Sequence, residues 1–559
     1  MPRHRVLGIV ALGAIAVAWA LPMQSVGCGQ NAHYAATRSF AEGRPSIDKY
    51  AAETCDIVRR GGHFYAAKGP ALDFWSAPWY LLLRTLHAVP ANRNAGASYP
   101  AAMLGVPLRA VWQIGLWAVV IPGVVLLLLV RRAADAIEPG TGVAAATVLG
   151  LATLVLPFST LFFAHVPAAM LAFASFWLLF RRRSSLAAAA AGALAGLAIA
   201  VDLPLVVPAA ALLVYAAVRR PRVRRGIAFA VGGLVGLLPL FAFDVWAFGS
   251  PFRIAYSGAA IDPGAAGVEQ AHVHKLFFTL TAPHPRLAVE MLFSQRGLFV
   301  LSPVLAAGVA GLVLLWRRRL RAEAALIGSL CVAELIWLMF RPNYELALGG
   351  WVPGPRFLIP LLPFLCFALA PVLRRRPVTV GALAAISAAA MVVATSAEPL
   401  LQNDDTRHWL SRIVHGNFTA TVVSLSGVGH GWLAILPFYA LVLIAVAAAV
   451  AATPRLPVSR RDLWTAGAAV LAWVLVEHAA PELLRVDRLV HESWGVLAAI
   501  ALIAAAAWAV IRLRPEGLLL LPFLTVHFDD HTKFALLLAV LVLAALAVHG
   551  RVRHPVGPA

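Results

Sequence analysis

LRAVWQIGLWAVVIPGVVLLLLVRR, residues 108–132, is an apolar run of membrane-crossing length that ends on two arginines. About 20 apolar residues, rising 1.5 Å each in a helix, match the hydrocarbon thickness of a bilayer. Runs of this kind recur along the 559-residue chain, which is 61% hydrophobic and only 13% charged. A soluble domain carries about 25% charged residues. Lipid admits only helices or closed barrels, because every backbone polar group must be satisfied internally. These runs are continuous rather than alternating, so the expected fold class is an all-α polytopic membrane protein.

Spans are expected near 6–23, 108–130, 142–160, 162–180, 186–201, 203–218, 226–247, 297–316, 322–340, 356–373, 377–397, 431–452, 463–479, 491–511, 516–528 and 533–549, about sixteen in all. The formal charge of +20 would suggest nucleic acid in a soluble protein. Here the basic clusters sit between apolar runs, and no aromatic-basic nucleic-acid motif is present. With the N-terminus inside and strict alternation, one face collects Arg131-Arg132, Arg181 to Arg183, Arg219 to Arg225, Arg317 to Arg321, Arg374 to Arg376, Arg460-Arg461, Arg512 with Arg514, and Arg551 with Arg553. The positive-inside rule makes that face cytoplasmic and puts both termini there. The stretch 71–89 is apolar enough to tempt a further span. Counting it would invert every later loop, so it is expected to be re-entrant or interfacial. Arg3, Arg5 and the small-residue site Ala18-Trp19-Ala20 resemble a signal peptide, but with so many spans following, a retained first helix is expected. The Ala-rich stretch 186–200 suits close helix packing by small residues.

Three outside loops are long (24–107, 248–296 and 398–430), and a fourth, 341–355, is short and dense in unusual residues. The first is rich in aromatics and mixed charge, and is expected to be ordered. It contains QNAHYAATRSFAEGRPSIDKYAAETCDIVRRGGHFYAAKGPALDFWSAPWY, residues 30–80. Asn31 to Glu42 suits a short helix stopped by Gly43-Arg44-Pro45. A second short helix is expected to hold Asp56, and 61–70 to form a turn. Cys28 and Cys55 share this loop, so a disulfide is allowed but not required. Cys331 and Cys366 lie in apolar runs and read as packing residues. Carboxylates, an imidazole, a lysine and arginines beside lipid make up the set that group transfer from a lipid-linked donor needs. A carboxylate can take the proton of an acceptor hydroxyl, and cations can stabilise a phosphate leaving group. No Walker loop, dinucleotide fingerprint, His-Glu-x-x-His or paired Cys-x-x-Cys is present. The sequence establishes no cofactor and leaves a divalent metal ion open; His527 and Asp529-Asp530-His531 read as a polar turn rather than as ligands.

The loop resembles that of bacterial multipass glycosyltransferases of the GT-C superfamily, the group with protein O-mannosyltransferase-like and lipopolysaccharide glycosyltransferase-like branches. The resemblance rests on Ile47-Asp48 and on GHFYAAKGPA at 62–71, where Gly62, His63, Tyr65, Lys68 and Pro70 match. Ala66 and Ala67 replace the Ser-Asp pair of that pattern. FGSPFRIAYSGA at 248–259, SQRGLFVLSPVL at 294–305 and NYELALGGWVPGPRFLIPLLPFL at 343–365 extend it over residues 1–400, while 401–559 would be additional helices of unassigned role. The resemblance implies a GT-C-like helical bundle in a bacterial-type inner membrane. It would move a sugar from a polyprenyl-phosphate donor to an envelope glycan, lipid or protein on the outside. Asp48 is the first expected catalytic base and Asp56 the second. Lys68, Arg356 and Arg38 would hold phosphate, and His63, Tyr65, Tyr344 and Glu345 would shape the sugar site. Asn31 stands where some relatives carry the acid, an alignment under which the base would be absent. Two rival readings remain. Intramembrane Asp202, Glu334 and Glu477 would suit a transporter or flippase, and the altered lysine motif would suit a non-catalytic scaffold.

Overall fold

The structure, a computed structural model, describes residues 2–218, 222–255, 259–261, 283–341, 347–400 and 407–484. Among these, five helices are long and apolar enough to cross a membrane: Leu108–Ile137, Arg321–Met339, Arg356–Arg375, Pro377–Ala397 and Gly431–Ala452. The number rises to seven if each of two bent helix pairs counts as one span. The chain is thus a multipass helical bundle, but sixteen spans are not reached among the described residues. The expected spans at 491–511, 516–528 and 533–549 lie outside them.

The departures from the expected spans have local causes. The run at 142–160 divides into Gly142–Leu151 and Val155–Ser159. Thr153 sits at the break, where its hydroxyl donates to the Leu149 carbonyl at 2.6 Å and accepts the Val155 amide at 3.2 Å. Such local side-chain bonds compete with the helical ladder. The run at 297–316 breaks by 94° between Pro285–Leu301 and Val304–Arg317, where Pro303 has no N–H to continue the ladder. Residues 71–89 contain the helix Ala71–Thr85, which buries Asp73 and Ser76 while exposing Trp75 and Leu82.

Small residues bring helices together as expected. Ser185–Val201 packs Ala189, Gly192, Ala193 and Gly196 against Phe229, Gly232, Gly233 and Gly236 of the helix Arg222–Gly236. Trp19 of the helix Pro2–Ala20 is buried and donates its indole N–H to the Gly150 carbonyl at 3.1 Å. The helix Gly431–Ala452 runs along Pro2–Ala20, and strand β1, Pro22–Met23, pairs antiparallel with β5, Ala420–Thr421.

The arginine-rich turns meet one another. Glu138 pairs with Arg318 and lies 3.5 Å from Arg374. Arg225 donates to the Arg182 carbonyl at 3.1 Å, and Arg376 to Ser459 Oγ at 3.2 Å. These contacts join segments that charge patterning had assigned to one face, and they define one end of the bundle.

The first loop is ordered and partly sheet. Cys28–Ala41 is helical, as expected. The second helix falls at Asp48–Glu53, a 3-10 turn, and does not hold Asp56. Asp56 instead precedes β2, Ile57–Arg60, which forms a hairpin with β3, His63–Ala66, in the register Ile57↔Ala66 to Arg60↔His63. A two-residue Gly-Gly connection favours a hairpin over the open turn expected at this point. Strand β4, Ala259–Ile261, pairs with the other edge of β2.

Candidate active site

At the end of the bundle opposite the arginine turns, five junctions converge on one cleft. Its walls include Lys68 and Gly69 of the first loop, Phe163 to His165, Val201 to Leu203, Trp337 with Arg341, and Arg356 with Phe357. Charge patterning assigns all five junctions to the outside face. The sequence periodicity and the tertiary packing therefore agree on which ends of the helices come together.

Lys68 is delivered by the hairpin. Its ammonium pairs with Asp56, one residue beyond the Cys28–Cys55 disulfide, whose Cα atoms are 5.1 Å apart. Thr54 secures the same corner: its hydroxyl donates to the Cys28 carbonyl at 2.6 Å and accepts the Asp56 amide at 3.1 Å. Gly69 then lies against the end of the helix Ser185–Val201. A Cβ there would stand 2.6 Å from the Val201 carbonyl oxygen and 2.7 Å from that of Ala200. Only a residue without a side chain lets the first loop lie this close to the helix end.

Arg356 enters from the opposite wall and is buried, its guanidinium 5.2 Å from the ring centres of both Phe163 and Phe357. Gly349, at φ +99, leaves room for it, since a Cβ there would meet Arg356 Nε at 2.2 Å. Arg341 stacks on Trp337 at 3.7 Å. The His165–Asp202 pair and His33, itself paired with Asp73 behind the wall, complete the lining. His165 Nδ1 is 2.6 Å from Asp202 Oδ2, and His33 Nδ1 is 2.8 Å from Asp73 Oδ1. The cleft thus combines three cations with ionisable pairs in a setting walled by aromatic rings, where electrostatic interactions are stronger than in water.

Of the residues expected from sequence, Lys68 and Arg356 reach the cleft, and Asp56 contacts it through Lys68. Asp48 stands elsewhere. It is exposed, accepts the Phe64 amide at 2.6 Å, and lies 2.7 Å from His63 Nδ1 and from Ser46 Oγ. Partial burial pushes its carboxyl up, but the Phe64 amide, His63 and Ser46 outweigh that and leave it below the ordinary aspartate range. His63 is exposed beside it. Arg38 is buried between the rings of Tyr34 and Tyr50, at 4.1 and 3.7 Å, and pairs with Glu53. Tyr65 is buried with its ring edge-on to Phe248 at 4.8 Å. Asn31 is fully buried and donates its amide to the Glu53 carbonyl at 2.8 Å and to that of Met103 at 3.3 Å. Tyr344 and Glu345 lie outside the described residues. Among the described residues, no three His, Cys, Asp or Glu side chains are grouped to hold a metal ion.

Sequence reading singled out Asp202 as an acid at a helix turn, and missed His165, His33, Asp73 and Arg341. The available signal was positional. His165 opens an apolar helix at its cleft end, and Arg341 follows the end of another there.

No family model matches the sequence, and no curated protein does. Solved structures do align with it. ArnT from Cupriavidus metallidurans in the apo state aligns at 17% identity over 93% of this chain and 76% of that one, with a TM-score of 0.39. ArnT from the same organism bound to undecaprenyl phosphate aligns at 14% identity over 95% and 87%, with a TM-score of 0.44. The apo oligosaccharyltransferase of Archaeoglobus fulgidus aligns at 13% identity over 84% and 59%, with a TM-score of 0.41.

Proposed function

We propose that this protein is an integral membrane glycosyltransferase of GT-C type, using a polyprenyl-phosphate-linked sugar at the outside face of the membrane. The observation that carries the reading is the convergence of Lys68 and Arg356 in one cleft at the outside ends of the helices. Both cations act electrostatically on the same His165–Asp202 pair. Two cations from opposite walls suit a phosphate entering from the lipid. A guanidinium offers a planar fork of donors, and a lysine offers a point charge. Their effect is greatest on the charge that develops as phosphate leaves the sugar. Asp56 orients Lys68, and the disulfide beside it suits an oxidising compartment outside the cytoplasm. The acceptor would be an envelope glycan, lipid or protein, with both termini of the chain cytoplasmic.

The test uses the purified full-length protein, radiolabelled undecaprenyl-phosphate sugars and an envelope extract. Wild type is expected to move label to the extract and to bind undecaprenyl phosphate. Lys68→Ala and Arg356→Ala should each weaken that binding by about tenfold or more, in line with a charged hydrogen bond of about 1.5–3 kcal/mol. Wild-type protein that neither binds the lipid phosphate nor transfers any of the sugars would overturn the proposal.

A further inference from the structure

A transferase of this kind must also dispose of the acceptor's hydroxyl proton. Neither carboxylate expected from the first loop lines the cleft: Asp48 caps a hairpin contact on the exposed surface, and Asp56 is engaged by Lys68. The pair that does line it is His165–Asp202, both members of which form part of the wall. Resting on the glycosyltransferase reading, we infer that His165, oriented by Asp202, is the general base that takes the acceptor proton.

The geometry has the parts such a base needs. Asp202 is the residue at which the helix Ser185–Val201 ends, and its Oδ2 holds His165 Nδ1 at 2.6 Å. A carboxylate on Nδ1 keeps the proton there in the neutral ring, so the basic nitrogen is Nε2. Ring contacts from Phe158, Phe163 and Phe357, with centroids 5.7, 5.9 and 5.7 Å away, hold the imidazole in one orientation. His33 and Asp73 form a similar pair, but there both side chains are only 1% exposed and Asp73 does not line the cleft. In the His165 pair, the imidazole is 5% and Asp202 14% exposed, and both line the cleft.

The step balances without a further reactant. The acceptor O–H gives its proton to His165 Nε2, and the oxygen forms a bond to the anomeric carbon. The bond from that carbon to the phosphate oxygen breaks. Its electron pair departs with the lipid phosphate, whose charge meets Lys68 and Arg356. Asp202 stabilises the imidazolium that results. The charged groups around the pair are Lys68 from the first loop, Arg356 from the turn opposite, and Arg341 and Glu334 from the helix Arg321–Met339 and its end.

The experiment compares wild type, His165→Gln and Asp202→Asn in transfer from radiolabelled undecaprenyl-phosphate sugars to an envelope extract. Undecaprenyl phosphate binding and thermal unfolding are measured on the same samples. Expected for His165→Gln is lipid-phosphate binding within about twofold of wild type and transfer lowered by about 10²-fold or more, the range for a lost general base. Asp202→Asn should lower transfer, and should move the acid limb of the pH–rate profile to lower pH, because the imidazolium loses its anionic partner. A purely structural role would lower the yield of folded protein and leave the profile where it was. Full transfer by His165→Gln, or an unmoved acid limb in a folded, active Asp202→Asn protein, overturns the inference while leaving the glycosyltransferase reading intact. Wild-type protein that neither binds the lipid phosphate nor transfers sugar overturns both.

Discussion

Gly69→Ala adds one methyl group at the point where the first loop meets the end of the helix Ser185–Val201. The new Cβ would stand 2.6 Å from the Val201 carbonyl oxygen, whereas an ordinary van der Waals contact begins at 3.4 Å. The loop must therefore retreat by about 0.8 Å, since its obstacle is helix backbone and not a flexible side-chain end. Overpacking of this kind costs about 1–3 kcal/mol in stability. The larger effect is on Lys68, the adjacent residue, which the retreat carries away from Asp202 and Arg356. Displacement of a positioning group by about 1 Å costs on the order of 10²-fold in rate. The expected result is a folded protein with a modestly lowered thermal transition. Its transfer from radiolabelled undecaprenyl-phosphate sugars should fall by roughly 10- to 100-fold, with weakened undecaprenyl phosphate binding. Wild-type transfer and binding by Gly69→Ala would refute the argument that this close approach sets the position of Lys68.

Further outcomes are expected from the first loop. Cys28→Ser with Cys55→Ser opens a loop of sequence separation 27 and should destabilise the protein by about 3–4 kcal/mol, read as an earlier thermal transition. Asn31→Asp, which restores an acid near the first helix, replaces two donated amide bonds with a charge facing two carbonyl oxygens. It should destabilise by roughly 3 kcal/mol without raising transfer, as a calorimetric scan and the same transfer assay would show. Asp48→Asn tests the first-choice base of the sequence reading: retained transfer removes Asp48 from that role. Because the folded-state carboxyl of Asp48 titrates below its ordinary value, its support of the hairpin is present at neutral pH and lost as the pH falls through that lowered value. Amide exchange at Phe64 should accelerate over that acid range in wild type, and at all pH values in Asp48→Asn.

Much of the fold was legible because lipid imposes a one-dimensional rule. Each crossing needs a long apolar run, and each cytoplasmic turn favours arginine, so hydropathy and charge alone assigned the junctions of the cleft to one side. The span count was less legible. Whether Thr153 or Pro303 breaks a run depends on where one hydroxyl finds a partner and where one missing N–H falls. Within the first loop, the helix at Cys28–Ala41 followed from its composition, while the β2–β3 hairpin depended on β4, some 200 residues away, to complete its sheet.

The same division governs the site. Lys68 and Arg356 could be chosen from sequence because each belongs to a short local pattern. Asp48, His63 and Tyr65 belong to the same patterns, and nothing local distinguishes a side chain that faces the cleft from one that ties the loop together. The pairing of His165 with Asp202 joins residues 37 positions apart through two helices, and has no sequence signature at all. The sequence by itself determined a membrane-embedded helical chain, its two faces, and the loop in which cations and acids gather. Only the tertiary structure decided which of those groups share a cleft, because the approach of helix ends is set by the packing of small residues and by single contacts such as Gly69 on Val201.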